Sequence, residues 1–163
     1  GKQARVASSA VGGFPTLSDG QAITTVTLTV DGSTQLVYLS GQASIFTNNT
    51  QAGACSQLNC LIGIEIFDAD TNTRLTPLNG SFYRLHLDQQ AESLSIAVVV
   101  SAPVGTHHYR LQTEFFSAIA NQLILNNASL TAMTVPLNGA GVAPAGSIDA
   151  LPSSDGANPA TGG

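Results

Sequence analysis

Asp68-Ala69-Asp70-Thr71-Asn72 sets three side-chain oxygens at alternate positions, the spacing with which a calcium loop begins. The pattern then departs from such a loop. Thr73 stands where the glycine belongs, and Asn79 stands where a bidentate glutamate is required. Asp and Asn also favour turn geometries, so Asp68, Asp70 and Asn72 read first as a hairpin turn and second as a calcium site. Cys55 and Cys60 bracket four residues. An even count in a hydroxyl-rich chain points to a disulfide closing a small loop in an oxidising compartment. Free thiols come next, and zinc last, because two further ligands at a recognisable spacing are missing.

The other reactive residue types offer less. His107 and His108 are adjacent, so in a strand they project to opposite faces and cannot grip one metal together. Neighbouring acids, Glu65 with Asp68 and Asp88 with Glu92, are the only hint of glycoside hydrolysis, and such groups are usually solvated loop carboxylates. The sequence contains no nucleophile elbow, phosphate loop or dinucleotide fingerprint. The expectation is a protein without enzymatic activity and without a cofactor, calcium aside. Tyr38, Tyr83 and Tyr109 are the rings a sugar-binding face would use, although the chain has no Trp and their plainer role is packing.

The elements that position these residues follow period two. Thr25–Val30, Gln35–Thr47, Phe82–Leu87, Ser93–Val100 and Thr106–Phe115 all alternate large apolar with polar side chains, and shorter strands are expected over Gln122–Leu125 and Ser129–Val135. Leu61–Phe67 is apolar on both faces and reads as a central, doubly covered strand. Asp31-Gly32 is a hairpin signal, and Gly41 suggests a bulge or bend. No segment keeps a sustained helical stripe. The fold class is therefore all-β, an antiparallel β-sandwich or jelly roll over residues 21–138. It is flanked by an N-terminal arm (1–20) and a Gly/Ala/Pro/Ser-rich C-terminal tail (139–163) that lacks the apolar surface to fold alone.

Composition narrows the setting. Of 163 residues only 9% are charged, while Ser, Thr, Asn and Gln number 52. Net charge is −5 with five Lys and Arg in all, which excludes the clustered cations of nucleic-acid binding. No apolar run approaches the 18 residues of a membrane-spanning helix.

One segment pair has a familiar look: Pro103-Val104-Gly105-Thr106-His107-His108-Tyr109-Arg110-Leu111-Gln112, followed by Ser129-Leu130-Thr131-Ala132-Met133-Thr134-Val135-Pro136. It resembles the last strands of C1q/TNF-like jelly rolls of bacterial exported proteins and phage appendages. The resemblance implies a trimeric, non-catalytic presentation domain. The aromatic-rich core of typical C1q domains is thin here, and no collagen-like repeat precedes the domain.

These readings converge on a structural subunit located outside the cell, on a cell surface or on a virion. It is expected to self-assemble as a trimer or a strand-exchanged filament through its terminal arms, above all Lys2–Leu17, and its edge strands. A carbohydrate-binding module using Tyr38, Tyr83 and Tyr109 is the alternative. The native protein should show no free thiol, and reduction of a Cys55–Cys60 bond should lower its thermal midpoint only modestly, because the closed loop is short.

Overall fold

The computed structural model describes residues 5–13, 15–47, 61–77, 82–84, 91–115 and 123–135. Cys55, Cys60 and the tail after 135 lie outside them. Ten strands cover most of what is described, and no helix occurs there. They are β1 (Val6–Val11), β2 (Thr16–Leu17), β3 (Ala22–Val30), β4 (Gln35–Thr47), β5 (Leu61–Asp68), β6 (Thr73–Arg74), β7 (Phe82–Arg84), β8 (Glu92–Ala102), β9 (Gly105–Phe115) and β10 (Leu123–Val135).

They form two antiparallel sheets. One has the order β1-β10-β4-β8, with β2 also on β10; the other has the order β3-β9-β5, with β6 and β7 on the far edge of β5. From β3 to β4 to β5, and again from β8 to β9 to β10, each strand lies in the sheet opposite to that of its predecessor. That alternation is the jelly-roll form of the β-sandwich. It also corrects the reading of Asp31-Gly32. β3 and β4 belong to different sheets, so this turn, with Gly32 at φ 79° and Gln35 Nε2 donating to Asp31 O at 2.9 Å, carries the chain across the core rather than closing a hairpin.

Inward-facing side chains meet between the sheets. Val37, Leu39, Ala43 and Ile45 of β4 and Leu125, Ala128, Leu130 and Ala132 of β10 are buried on one side; Val26, Leu28, Ile62, Ile64, Ile66 and Leu111 are buried on the other. Burying such aliphatic side chains contributes roughly 1.5–3 kcal/mol each.

Three local expectations change. The described part of the N-terminal segment is not a free arm: β1 pairs with β10 from Val6↔Met133 to Val11↔Ala128, and Ala7 and Val11 pack on the core. Arg5 N donates to Thr134 Oγ1 at 2.7 Å, and the Arg5 side chain pairs with Asp31. Small residues hid this strand, because Ala and Ser give the alternation little amplitude. The two short C-terminal strands are one, β10, with a register shift between Leu125 and Asn127. Gly41, finally, makes no bulge. It pairs in regular register with Leu130 and Ile96, and its lack of a side chain lets the sheets approach: a Cβ there would fall 2.8 Å from Leu111 Cδ1. Gly41→Ala should therefore destabilise the protein by about 1–3 kcal/mol through overpacking, read as a lower urea midpoint with unchanged cooperativity.

Candidate functional site

The outer face of the β3-β9-β5 sheet gathers charged and amide side chains around the β5–β6 hairpin. Period two sends Ile62, Ile64 and Ile66 inward and leaves Gly63, Glu65 and Phe67 on the outer face, opposite Glu114, Gln112 and Arg110 of β9. The chain then turns at 68–72, and the segment Thr73–Thr76 returns along the edge of β5. Leu75 N donates to Ile66 O at 2.9 Å, and Ile66 N donates to Thr76 Oγ1 at 3.2 Å.

Glu65 is the centre of this face. Its side chain is 0% exposed. Thr76 Oγ1 donates to Glu65 Oε1 at 2.5 Å, and Arg74 Nη1 lies 3.2 Å from the same oxygen. The same Arg74 nitrogen donates to Glu114 Oε1 at 2.6 Å. One guanidinium thus joins two carboxyl groups. Glu65 Oε2 is buried and has no hydrogen-bond donor among the described residues. Burial pushes the Glu65 carboxyl above the ordinary glutamate range. Glu114 beside it acts in the same direction, against the Thr76 hydrogen bond and the Arg74 charge.

Phe67 lies between two guanidinium groups, with Arg74 Cζ 5.4 Å and Arg110 Cζ 5.1 Å from its ring centroid, both within cation–π range. Arg110 is held by neutral acceptors: Nε donates to Gln112 Oε1 at 2.8 Å and Nη2 to Asn72 Oδ1 at 2.6 Å.

The oxygens of the calcium-like pattern are engaged within the fold. Asp68 Oδ1 accepts from Asp70 N at 2.9 Å and from Thr71 N at 3.3 Å, which makes a side-chain-capped turn. Asp70 accepts from His108 N at 3.0 Å through Oδ2 and meets His108 Nδ1 at 2.8 Å through Oδ1. Asn72, at φ 56°, turns its amide oxygen to Arg110. The alternate spacing of Asp70 and Asn72 therefore matches the alternate spacing of His108 and Arg110 on β9. No three His, Cys, Asp or Glu side chains converge on a metal position among the described residues.

The three tyrosines do not share a face. Tyr109 is buried in the core beside the His107 ring, and burial pushes its phenol up to about 12. It presents no ring to a ligand, which corrects its place in a sugar-binding surface. Tyr38 sits on the outer face of the other sheet, in register with Met133 and Val99. Tyr83 is paired with Ile62 through β7, and its side chain is outside the described set. His107 and His108 do face opposite ways, one toward Tyr109 and one toward Asp70. Glu65 and Asp68, three residues apart, project to opposite faces of β5, and the partner of Glu65 is Glu114. Asp88 lies outside the described residues. Sequence reasoning missed the Glu65–Arg74–Glu114 group, although a lone acid in the run Leu61-Ile62-Gly63-Ile64-Glu65-Ile66-Phe67 was a signal that could have found it.

No protein-family model and no curated protein matches the chain. Among solved structures it is similar to the VP2 subviral particle of infectious bursal disease virus, at 10% identity and TM-score 0.47 over 82% of this chain and 33% of that one. It is also similar to the globular domain of zebrafish complement 1qA protein, at 8% identity and TM-score 0.45 over 84% of this chain and 100% of that one. A third similar structure is Eiger TNF from S. frugiperda, at 12% identity and TM-score 0.42 over 84% and 96%. The chain spans a third of the VP2 chain it matches. The jelly-roll assignment itself rests on the sheet order described above.

The hydrogen bonds from His108, backbone first and then side chain, hold the Asp70 carboxyl below its ordinary range. Its contribution to stability is thus present above the ordinary aspartate range and is lost as pH falls through the lowered value. The thermal midpoint of Asp70→Asn should lie below that of the wild type at pH 7, and the gap should close on acidification.

Proposed function

We propose that the protein is a non-catalytic structural subunit that assembles with copies of itself through the outer face of the β1-β10-β4-β8 sheet. The observation that carries this reading is the chemistry of that face. Across four strands it presents Val6, Ser8 and Ala10; Ser129, Thr131, Met133 and Val135; Leu36, Tyr38, Ser40 and Gln42; and Ser95, Ala97, Val99 and Ser101, all partly or fully exposed and none charged. Val6, Met133, Tyr38 and Val99 lie in one row, and Val6 and Val99 are 62% and 39% exposed.

Two such faces can meet without stripping water from an ion, whose desolvation is the main cost of burying charged surface. The apolar row supplies a contact centre, and the Ser, Thr and Gln rows supply a hydrogen-bonding rim. The opposite sheet carries Arg74, Arg110, Glu114, Asp70 and His108, a surface suited to water. With β1 paired in its own sheet, the face takes over the role first given to the N-terminal arm. The edge strand β8 remains a second contact.

An extracellular, cell-surface or virion setting belongs to the same reading, supported by the low charge and the hydroxyl-rich surface. A closed trimer and an open filament differ only in the symmetry of the contact. The carbohydrate-binding alternative loses the platform it needed, because Tyr109 is in the core and Tyr38 lies on the other sheet. Light scattering should return a mass of several subunits. Tyr38→Glu and Met133→Glu should each weaken association by at least roughly 100-fold, since an unpaired charge at a buried contact costs about 3–5 kcal/mol. A wild-type protein that stays monomeric at high concentration overturns the proposal.

A further inference from the structure

We infer that Glu65 and Glu114 form a carboxylic acid–carboxylate pair holding one proton at neutral pH, and that this shared proton ties β5 to β9 beside the Thr73–Thr76 segment. The inference is independent of the assembly reading and concerns the opposite sheet.

The charge count of the group comes first. On β6 and the segment that follows it, Arg74 supplies one positive charge and Thr76 a neutral hydroxyl. On β9, Glu114 supplies a carboxyl and Gln112, the register partner of Glu65, a neutral amide. The next charge along the face, Arg110, is bonded to Gln112 and Asn72. On β7, Arg84 holds the register position of Leu61, roughly 13 Å from Glu65 along the strand. With both acids ionised, one guanidinium would face two negative charges in a site where one of them has no contact with water. With one proton present the group is neutral.

Geometry then places the proton. Glu65 is fully buried, whereas the Glu114 side chain keeps 19% and Arg74 29% exposure, so Glu65 is the acid that loses least by being neutral. Glu65 Oε1 receives Thr76 and Arg74, while Oε2 is buried with no donor to satisfy it. An unsatisfied buried carboxylate oxygen is costly. The same oxygen carrying a hydrogen becomes a donor, and the Glu114 carboxylate, bound to the same Arg74 nitrogen as Glu65, is the acceptor we assign to it.

The sign of the pH effect follows. A carboxyl whose folded value lies above its unfolded value stabilises the fold at low pH, and that stabilisation is lost as pH rises through the folded value. The Glu65–Glu114 pair is therefore closed in mild acid and comes apart toward alkaline pH, opposite in sense to the Asp70–His108 contact on the same hairpin.

Wild type and Glu65→Gln unfolded in urea between pH 5 and pH 8 test this. Gln keeps an oxygen for Thr76 and Arg74 and places a permanent donor toward Glu114. The wild-type folding constant should fall by up to about tenfold per pH unit relative to the variant within the titration window. Any group whose surroundings the substitution leaves alone cancels in the difference. Parallel curves, or a variant less stable than wild type at every pH, overturn the inference. Selective 13C labelling of glutamate in the wild type gives a readout that needs no variant, since the chain contains three glutamates. One side-chain carboxyl signal should titrate well above the ordinary range, and three ordinary titrations overturn the inference even if Glu65→Gln fails to fold.

Discussion

Face-to-face packing of two uncharged, largely aliphatic surfaces is the constraint on which the molecule depends. Ile62, Ile64, Ile66 and Leu111 share one core with Val37, Leu39, Ala43 and Leu130, and the approach is close enough that a Cβ at position 41 of β4 would displace the Leu111 side chain. Because side chains alternate along a strand, committing one face of each strand to this core also decides which residues are left outside. The outer surfaces of the sandwich are thus a by-product of the core register, and a slip of one residue would exchange them.

The two outer surfaces differ in chemistry. One sheet turns out hydroxyls, amides and an apolar row; the other turns out the Glu65–Arg74–Glu114 group, the Arg–Phe–Arg stack and the Asp70–His108 contact. Among the described strands of the other sheet, Glu92 at the start of β8 is the one charged residue. A surface suited to contact with a like surface and a surface suited to water then follow from one distribution of residues. The β5–β6 hairpin adds local order to the charged side. Its Asp and Asn oxygens reach β9, and its returning segment covers a glutamate that would otherwise face solvent.

Much of the framework was legible in the residues. Strands β3, β4, β5, β8 and β9 fall where large apolar side chains alternate or run together, and their inward-facing Val, Ile and Leu residues, with Tyr109, form much of the core. β1 was not legible, because Ala and Ser alternate without contrast and their burial comes from contact with β10 and the core. The expected arm followed from that weak signal. The site was legible in part. Asp68, Asp70 and Asn72 stood out by spacing and do form a turn, but their partners on β9 are about 40 residues distant and left no trace in the local pattern. The tyrosines stood out by type, yet only register shows that Tyr109 faces the core and Tyr38 the outside.

Period-two alternation and low charge, both readable from the chain, determined that it forms strands, that the strands pack as a sandwich and that the surface is only weakly ionic. These depend on near neighbours and on composition, which a linear reading contains. The tertiary structure alone decided that Asp31-Gly32 crosses between sheets, that Gly41 admits Leu111, and that Glu65, Arg74 and Glu114 meet. Each of these depends on the order in which distant strands pair, and pairing order is set by how the whole core closes.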